Sequence, residues 1–372
     1  MKKIKGIIAA VLCMTLLAGC GGTNSSTGNS SNSTVTSDAA ETIESKESSV
    51  TETETATDDT ADSVDTSAPE SEQTDIVYPE SIRVSAFKGP TAMGLSYFMN
   101  EDEELDLPYD FTISAAIDEI SPLIIQGKTD IACVPANLAS VLYNKTEGGV
   151  KVLAVNTLGV LYICENGTTV TDIQDLKGRT IFASGKGATP EYALNYILKQ
   201  NGIDPEKDVT IEWKSEHSEC LTSLTANEGS VALLPQPFVT TAQTKAEGIN
   251  VVIDITEEWE KLDNGSACLT GVVVATSEFV DLYPEVVDEF LSKYAESVNY
   301  VNDNVAEGAQ LIGKYEIVPA AVAEKAIPEC NIVCITGAEM KDKLSGYLGV
   351  LFEQEPTSVG GALPADDFYY GA

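Results

Sequence analysis

The chain has 372 residues, a formal net charge of -36 and 43% hydrophobic residues. That length suggests two or three domains at roughly 100 to 200 residues each, with enough apolar side chains for a substantial core. So acidic a chain lacks the clustered Lys and Arg that a phosphate backbone requires, which excludes nucleic acid as a partner.

In chain order, Lys2, Lys3 and Lys5 come first, then an apolar run from Ile7 to Leu17, then Leu17-Ala18-Gly19-Cys20. A basic start, a short apolar stretch and small residues before a cut site describe a signal peptide over residues 1–20. The run is shorter than the roughly 20 residues of a spanning helix. Its ending resembles the lipobox of bacterial lipoproteins, which implies a lipid on Cys20 and an extracytoplasmic protein anchored to the cell membrane. An ordinary secretory signal with an incidental cysteine is the alternative.

Residues 21–78 are predicted to be a disordered tether. They are mostly Ser, Thr, Gly, Asn and acidic residues, and residues 21–79 carry thirteen acids against Lys46 alone. Such a composition buries too little surface to offset its ordering entropy. Beyond the tether, Cys133, Cys164, Cys220, Cys268, Cys330 and Cys334 remain. Several sit in apolar runs and none has Cys-x-x-Cys spacing, so buried free thiols are expected rather than a metal site.

From residue 79 strands and helices alternate. SIRVSAF (81–87) reads as a strand and 91–100 as a helix; YDFTIS is a strand, 117–126 a helix, DIACVP a strand and NLASVLYNK a helix. VKVLAVN and LGVLYIC are near-continuous apolar runs, the mark of strands buried on both faces. The pattern then restarts: RTIFAS, a helix from Thr189-Pro190-Glu191 to Asn201-Gly202, DVTIEW, a helix over 217–227, SVALLP, a helix from Pro237, and INVVIDI. This alternation predicts βαβ units and mainly parallel sheets.

The two halves match at a spacing of about a hundred residues. Lys88-Gly89-Pro90-Thr91 pairs with Lys186-Gly187-Ala188-Thr189, Glu119 with Glu219, and IACVP with VALLP. Both Lys-Gly turns follow the first strand of their half and precede a helix. In open α/β sheets ligands bind there, beyond the carboxyl ends of the strands and against helix N-termini.

On the turn GPTAMGL, on QGKTDIACVPANLA (126–139), DIQDLKGRTI (172–181) and residues 272–304, the chain resembles the solute-binding lipoproteins of ABC importers, in the nitrate, sulfonate, taurine and thiamine-pyrimidine group. The resemblance spans about residues 80–370. It implies an α/β fold of the type II periplasmic-binding-protein class: two Rossmann-like lobes joined by a double crossover hinge. Lobe I would take 79–168 and 270–372, lobe II 169–269, with crossovers near 165–173 and 268–275. It further implies a monomer without cofactor that captures a small solute and delivers it to permease subunits.

Carried over residue by residue, the solute site comprises Lys88, Gly89, Pro90, Thr91 and Asn137 from lobe I, and Lys186, Gly187, Thr189, His217, Glu219, Pro235 and Gln236 from lobe II. Glu258 and Trp259 are placed at the cleft near the hinge. Trp259 reads equally well as a core residue and His217 as a helix-start surface residue. The lysines suit an anionic or acceptor-rich solute; Glu119, Glu219 and Glu258 suit an amine-bearing one.

Enzymatic readings find few parts. There is no GxSxG elbow and no P-loop, and SGKGATPE breaks GxGxxG at its last position. One histidine leaves most catalytic triads incomplete. No enzyme is expected. The alternatives are a same-fold enzyme resembling the chorismate dehydratases, a cytoplasmic family that a lipobox argues against, and a surface lipoprotein without a transport role.

Overall fold

The computed structural model describes residues 76–372. The signal peptide, the lipobox Cys20 and nearly all of the tether lie outside the described residues.

The chain opens with β1 (Ile82–Phe87), α1 (Pro90–Met93), α2 (Ser96–Leu105), β2 (Tyr109–Ser114), α3 (Ile117–Ile125), β3 (Ile131–Pro135), α4 (Ala136–Lys145) and β4 (Val150–Leu158). It continues through β5 (Leu161–Asn166), β6 (Thr180–Ser184), α5 (Thr189–Gln200), β7 (Thr210–Lys214), α6 (His217–Ala226), β8 (Val231–Pro235), α7 (Phe238–Lys245), β9 (Ile249–Asp254) and α8 (Ile255–Glu260). It then returns as β10 (Leu269–Thr276), α9 (Ser277–Leu282), α10 (Pro284–Asp303), α11 (Val305–Lys314), α12 (Ala320–Ala326), β11 (Ile332–Ile335) and α13 (Gly337–Gln354).

Two sheets result, ordered β11-β4-β10-β3-β1-β2 in lobe I and β7-β6-β8-β5-β9 in lobe II. Leaving out β11, the orders correspond strand for strand. In each, three parallel strands are followed by one antiparallel strand that arrives from the other lobe: β10 between β3 and β4, β5 between β8 and β9. The spacing of about a hundred residues is thus a structural repeat. The expected α/β architecture of two lobes with a double crossover stands.

Two local expectations are corrected. The LGVLYIC run was assigned to lobe I, yet β5 pairs with β8 and β9, so the chain passes between sheets at Gly159–Val160 and not near 165–173. A strand buried on both faces looks the same in either sheet, which is why the pattern could not place it. The second passage occupies residues 261–268. The predicted 91–100 helix is also broken, into α1 and α2. Ser297 of α10 causes the interruption to hold: its hydroxyl donates to the Gly94 carbonyl at 2.6 Å and accepts from the Phe98 N–H at 2.9 Å. A Cβ on Gly94 would stand 2.8 Å from the Tyr294 hydroxyl.

The core follows the apolar pattern. Phe98, Phe290 and Tyr294 are fully buried between α2, α10 and the lobe I sheet, each contributing about 1.5–3 kcal/mol by removal from water. Cys133, Cys164, Cys220, Cys268 and Cys330 are buried free thiols and Cys334 is half-buried. Among the described residues no helix is long and apolar enough to cross a membrane.

Candidate functional site

The carboxyl ends of β1, β3, β6 and β8 converge between the lobes on a cavity of about 410 Å3. Lobe I lines it with Phe87, Lys88, Gly89, Pro90, Thr91, Pro135, Asn137 and Leu138. Lobe II contributes Ala188, Thr189, Pro190, His217, Pro235, Gln236, Pro237 and Phe238, and the first passage with the starts of β5 and β10 adds Val160, Leu161 and Thr270. The volume suits a small organic molecule. Its walls are mainly Phe, Leu, Val and Pro, and Lys88 is the one Lys, Arg, Asp or Glu among its lining residues.

Nine expected site residues meet here: Lys88, Gly89, Pro90, Thr91, Asn137, Thr189, His217, Pro235 and Gln236. Their roles differ from expectation in one respect. The Thr91 hydroxyl donates to the Phe87 carbonyl at 2.8 Å, and the Thr189 hydroxyl is paired with the buried Tyr347 hydroxyl at 3.2 Å. The Thr91 proton is thus used within the fold, whereas Thr189, which accepts from Tyr347, keeps its own proton to donate. Thr189 is the first residue of α5 and no side chain caps that helix; Glu191 Oε2 instead accepts from the Gly187 N–H of the preceding turn at 2.6 Å. The Asn137 amide donates to the Ser358 carbonyl at 3.2 Å.

Five expected residues lie elsewhere. Gly185 and Gly187 both adopt positive φ, 82° and 78°, a conformation Gly reaches without steric cost. The loop they form sends Lys186 to a separate groove of about 1040 Å3, shared with Lys199 and Trp213. Gly187 is engaged by Glu191. Glu219 is exposed and its carboxylate accepts from the Ser215 N–H at 2.8 Å, closing the start of α6. Glu258 pairs with Lys261 on the surface of α8. Trp259 is fully buried, its indole N–H donating to Ser266 at 2.8 Å and its ring packed between Tyr196 and Tyr347. Its core reading is the right one. With no carboxylate in the lining, the amine-binding option loses its groups.

Lobe II supplies the cavity's directional polar groups. His217 opens α6, with Nδ1 2.6 Å from the Ser184 hydroxyl oxygen and the ring against Phe238. Burial lowers its pKa below the ordinary 6.5, since taking an imidazolium out of water disfavours the charged form. Gln236 is held by its backbone, whose N–H donates to the Val160 carbonyl at 3.0 Å, and by Thr240. On the lobe I side, the fully buried Asn156 donates from Nδ2 to the Thr91 carbonyl at 3.1 Å, fixing the 88–91 turn from behind.

Among the ten lining residues that sequence reasoning missed are Pro135, Leu138, Pro190, Pro237 and Phe238. Pro135 was within reach, because it is the repeat mate of Pro235. The others are apolar residues at helix starts, indistinguishable in sequence from core.

Residues 102–278 match the family model described as "ABC transporter, phosphonate, periplasmic substrate-binding protein". The protein YtlA of Bacillus subtilis is 23% identical over 180 residues, 47% of this chain and 52% of that one. The chain thus spans about half the length of the curated relative it matches. Among solved structures, an ABC transporter protein from Parabacteroides distasonis superposes with a TM-score of 0.67 at 24% identity, over 78% of this chain and 99% of that one. The periplasmic aliphatic sulphonate binding protein SsuA from Escherichia coli superposes with a TM-score of 0.62 at 15% identity, over 76% and 91%. The fold implied by the resemblance is borne out, and the family match agrees with the resemblance over residues 102–278.

Proposed function

We propose that this chain, which has the fold of the ABC-importer substrate-binding proteins and matches their family model from α2 into α9, captures a small organic solute between its lobes and delivers it to an importer permease. The observation that carries the reading is the interlobe cavity: repeated strand ends from both sheets meet on one apolar space with one cation, Lys88, in its lining. The solute has an apolar body and a group that accepts hydrogen bonds. The protein acts outside the cytoplasm, held to the membrane by a lipid on Cys20, and it acts as a monomer without catalysis.

The test is a thermal-shift screen of the purified body against alkane- and arylsulfonates, phosphonates, carboxylates and alkylammonium salts. A solute that binds only the folded state stabilises it by about 2.7 kcal/mol at a hundred times its Kd. One acid-bearing class should raise the melting temperature, with affinity lost on Phe238→Asp, which sets a carboxylate in the apolar wall. No stabilisation by any class, or a hit whose affinity survives Phe238→Asp, overturns the reading.

A further inference from the structure

Two polar side chains in the lobe II wall have one end tied to the protein and the other turned to the cavity. Gln236 is 4% exposed. Its Oε1 accepts from both the backbone N–H of Thr240, at 3.3 Å, and the Thr240 hydroxyl, at 2.9 Å. A carboxamide whose oxygen is fixed in this way presents its two N–H groups on the other side. Among the described residues nothing accepts from them. That nitrogen is not sealed off from the cleft, so water can serve it in the open site and an acceptor on a solute can take the water's place.

His217 is arranged in the same manner. Ser184, 2% exposed, meets Nδ1 at 2.6 Å. A Ser184 hydroxyl that donates across this contact makes Nδ1 the acceptor. A neutral imidazole that accepts at Nδ1 carries its own proton on Nε2, at the far side of the ring. The ring lines the cavity beside Phe238.

We propose that Ser184 and Thr240 are positioning residues that preset two neutral donors, His217 Nε2–H and Gln236 Nε2–H2, so that lobe II takes the part of a solute that only accepts hydrogen bonds. The proposal rests on reading the cleft as a solute site and names how that site selects. An ammonium group would meet donor against donor, with no carboxylate in the lining to receive it. Discrimination is then set by an unpaired donor more than by net charge.

The charged groups around the imidazole are few. Glu216 and Glu219 are exposed on its own helix end, Lys214 on β7 pairs with Glu212, α7 contributes the uncharged Phe238, and Lys88 lines the cavity from lobe I. None is a hydrogen-bond partner of the ring among the described residues.

His217 is the chain's one histidine, so long-range 1H–15N spectra of the ligand-free protein report a single ring. At neutral pH the Nε2–H tautomer should dominate. Ser184→Ala should mix the tautomers and move the ring's titration, and Ser184→Thr, which keeps the hydroxyl, should restore the parent pattern. An Nδ1–H ring in the parent, or no change in Ser184→Ala, overturns the preset. For Gln236 the probes are hexanesulfonate, hexanoate and hexylammonium. The parent should prefer the better anion over hexylammonium by about tenfold or more, and Thr240→Val, folded by circular dichroism, should narrow that ratio while Thr240→Ser keeps it. A parent without the preference, or a Thr240→Val ratio equal to the parent's, overturns the donor wall. A wrong tautomer with the preference intact would sink this inference and leave the cleft reading; a right tautomer with no solute found would sink both.

Discussion

At the scale of single residues, the cleft shows how partners decide roles. Thr91 and Thr189 look alike in sequence, each closing a Lys-Gly turn, yet one hydroxyl bonds its own strand and the other a tyrosine from the C-terminal helix. His217 is the residue whose charge matters most near neutrality. Burial depresses its folded pKa below 6.5, so as pH falls from neutral the unfolded chain binds a proton before the folded one does. Its contribution to stability is complete above the unfolded value and is lost as pH falls through the folded one. Between about pH 7 and 5.5, above the range where carboxylates titrate, the parent's melting temperature should decline more steeply than that of His217→Gln. Equal slopes in the two proteins would show that the ring is not buried neutral.

At the scale of elements, the 88–91 turn depends on a strand that sequence order places far away. β10 returns from lobe II and lays Gly271 against the turn. A Cβ there would stand 2.3 Å from Thr91 Cγ2 and 2.5 Å from Asn156 Oδ1. Only a glycine permits both contacts. Gly271→Ala should cost about 1–3 kcal/mol, the usual range for overpacking a closed site, read from the urea midpoint at unchanged m-value. The turn must also shift, so affinity for the solute found by screening should fall with stability. A midpoint within error of the parent would mean that the turn yields freely and that Asn156 does not hold it.

For the whole molecule, lobe II is bound to the C-terminal part of lobe I as well as to the crossovers. The α13 residues Tyr347 and Gln354 reach Thr189 and the Tyr192 carbonyl at 3.2 Å each. The described body is thus a pair of lobes with a back strap, and the proposed anchor falls outside the described residues. If Cys20 carries the lipid, Cys20→Ser should move the mature protein from the detergent phase to the aqueous phase on Triton X-114 partition. Its melting temperature should not change, because the predicted tether separates Cys20 from the body in sequence. A processed mutant that stays in the detergent phase would refute the lipid anchor.

Much of the architecture was legible in the chain because local physics repeats. Alternating periodicity marked the strands, Gly and Pro marked their ends, and KGPT with KGAT revealed two copies of one unit whose strand ends were the natural place for a ligand. Nine of the cavity's residues followed once the family resemblance was carried over onto those turns. What needed the tertiary structure was everything that depends on a partner distant in sequence. The sheet to which LYIC belongs, the broken helix at Gly94, the burial of Trp259 and the turning of Lys186 away from the cleft are all of this kind. So are the tethers on Gln236 and His217. A side chain's type sets which hydrogen bonds it can make, but the folded neighbours decide which of them are already made, and only the remainder can face a solute.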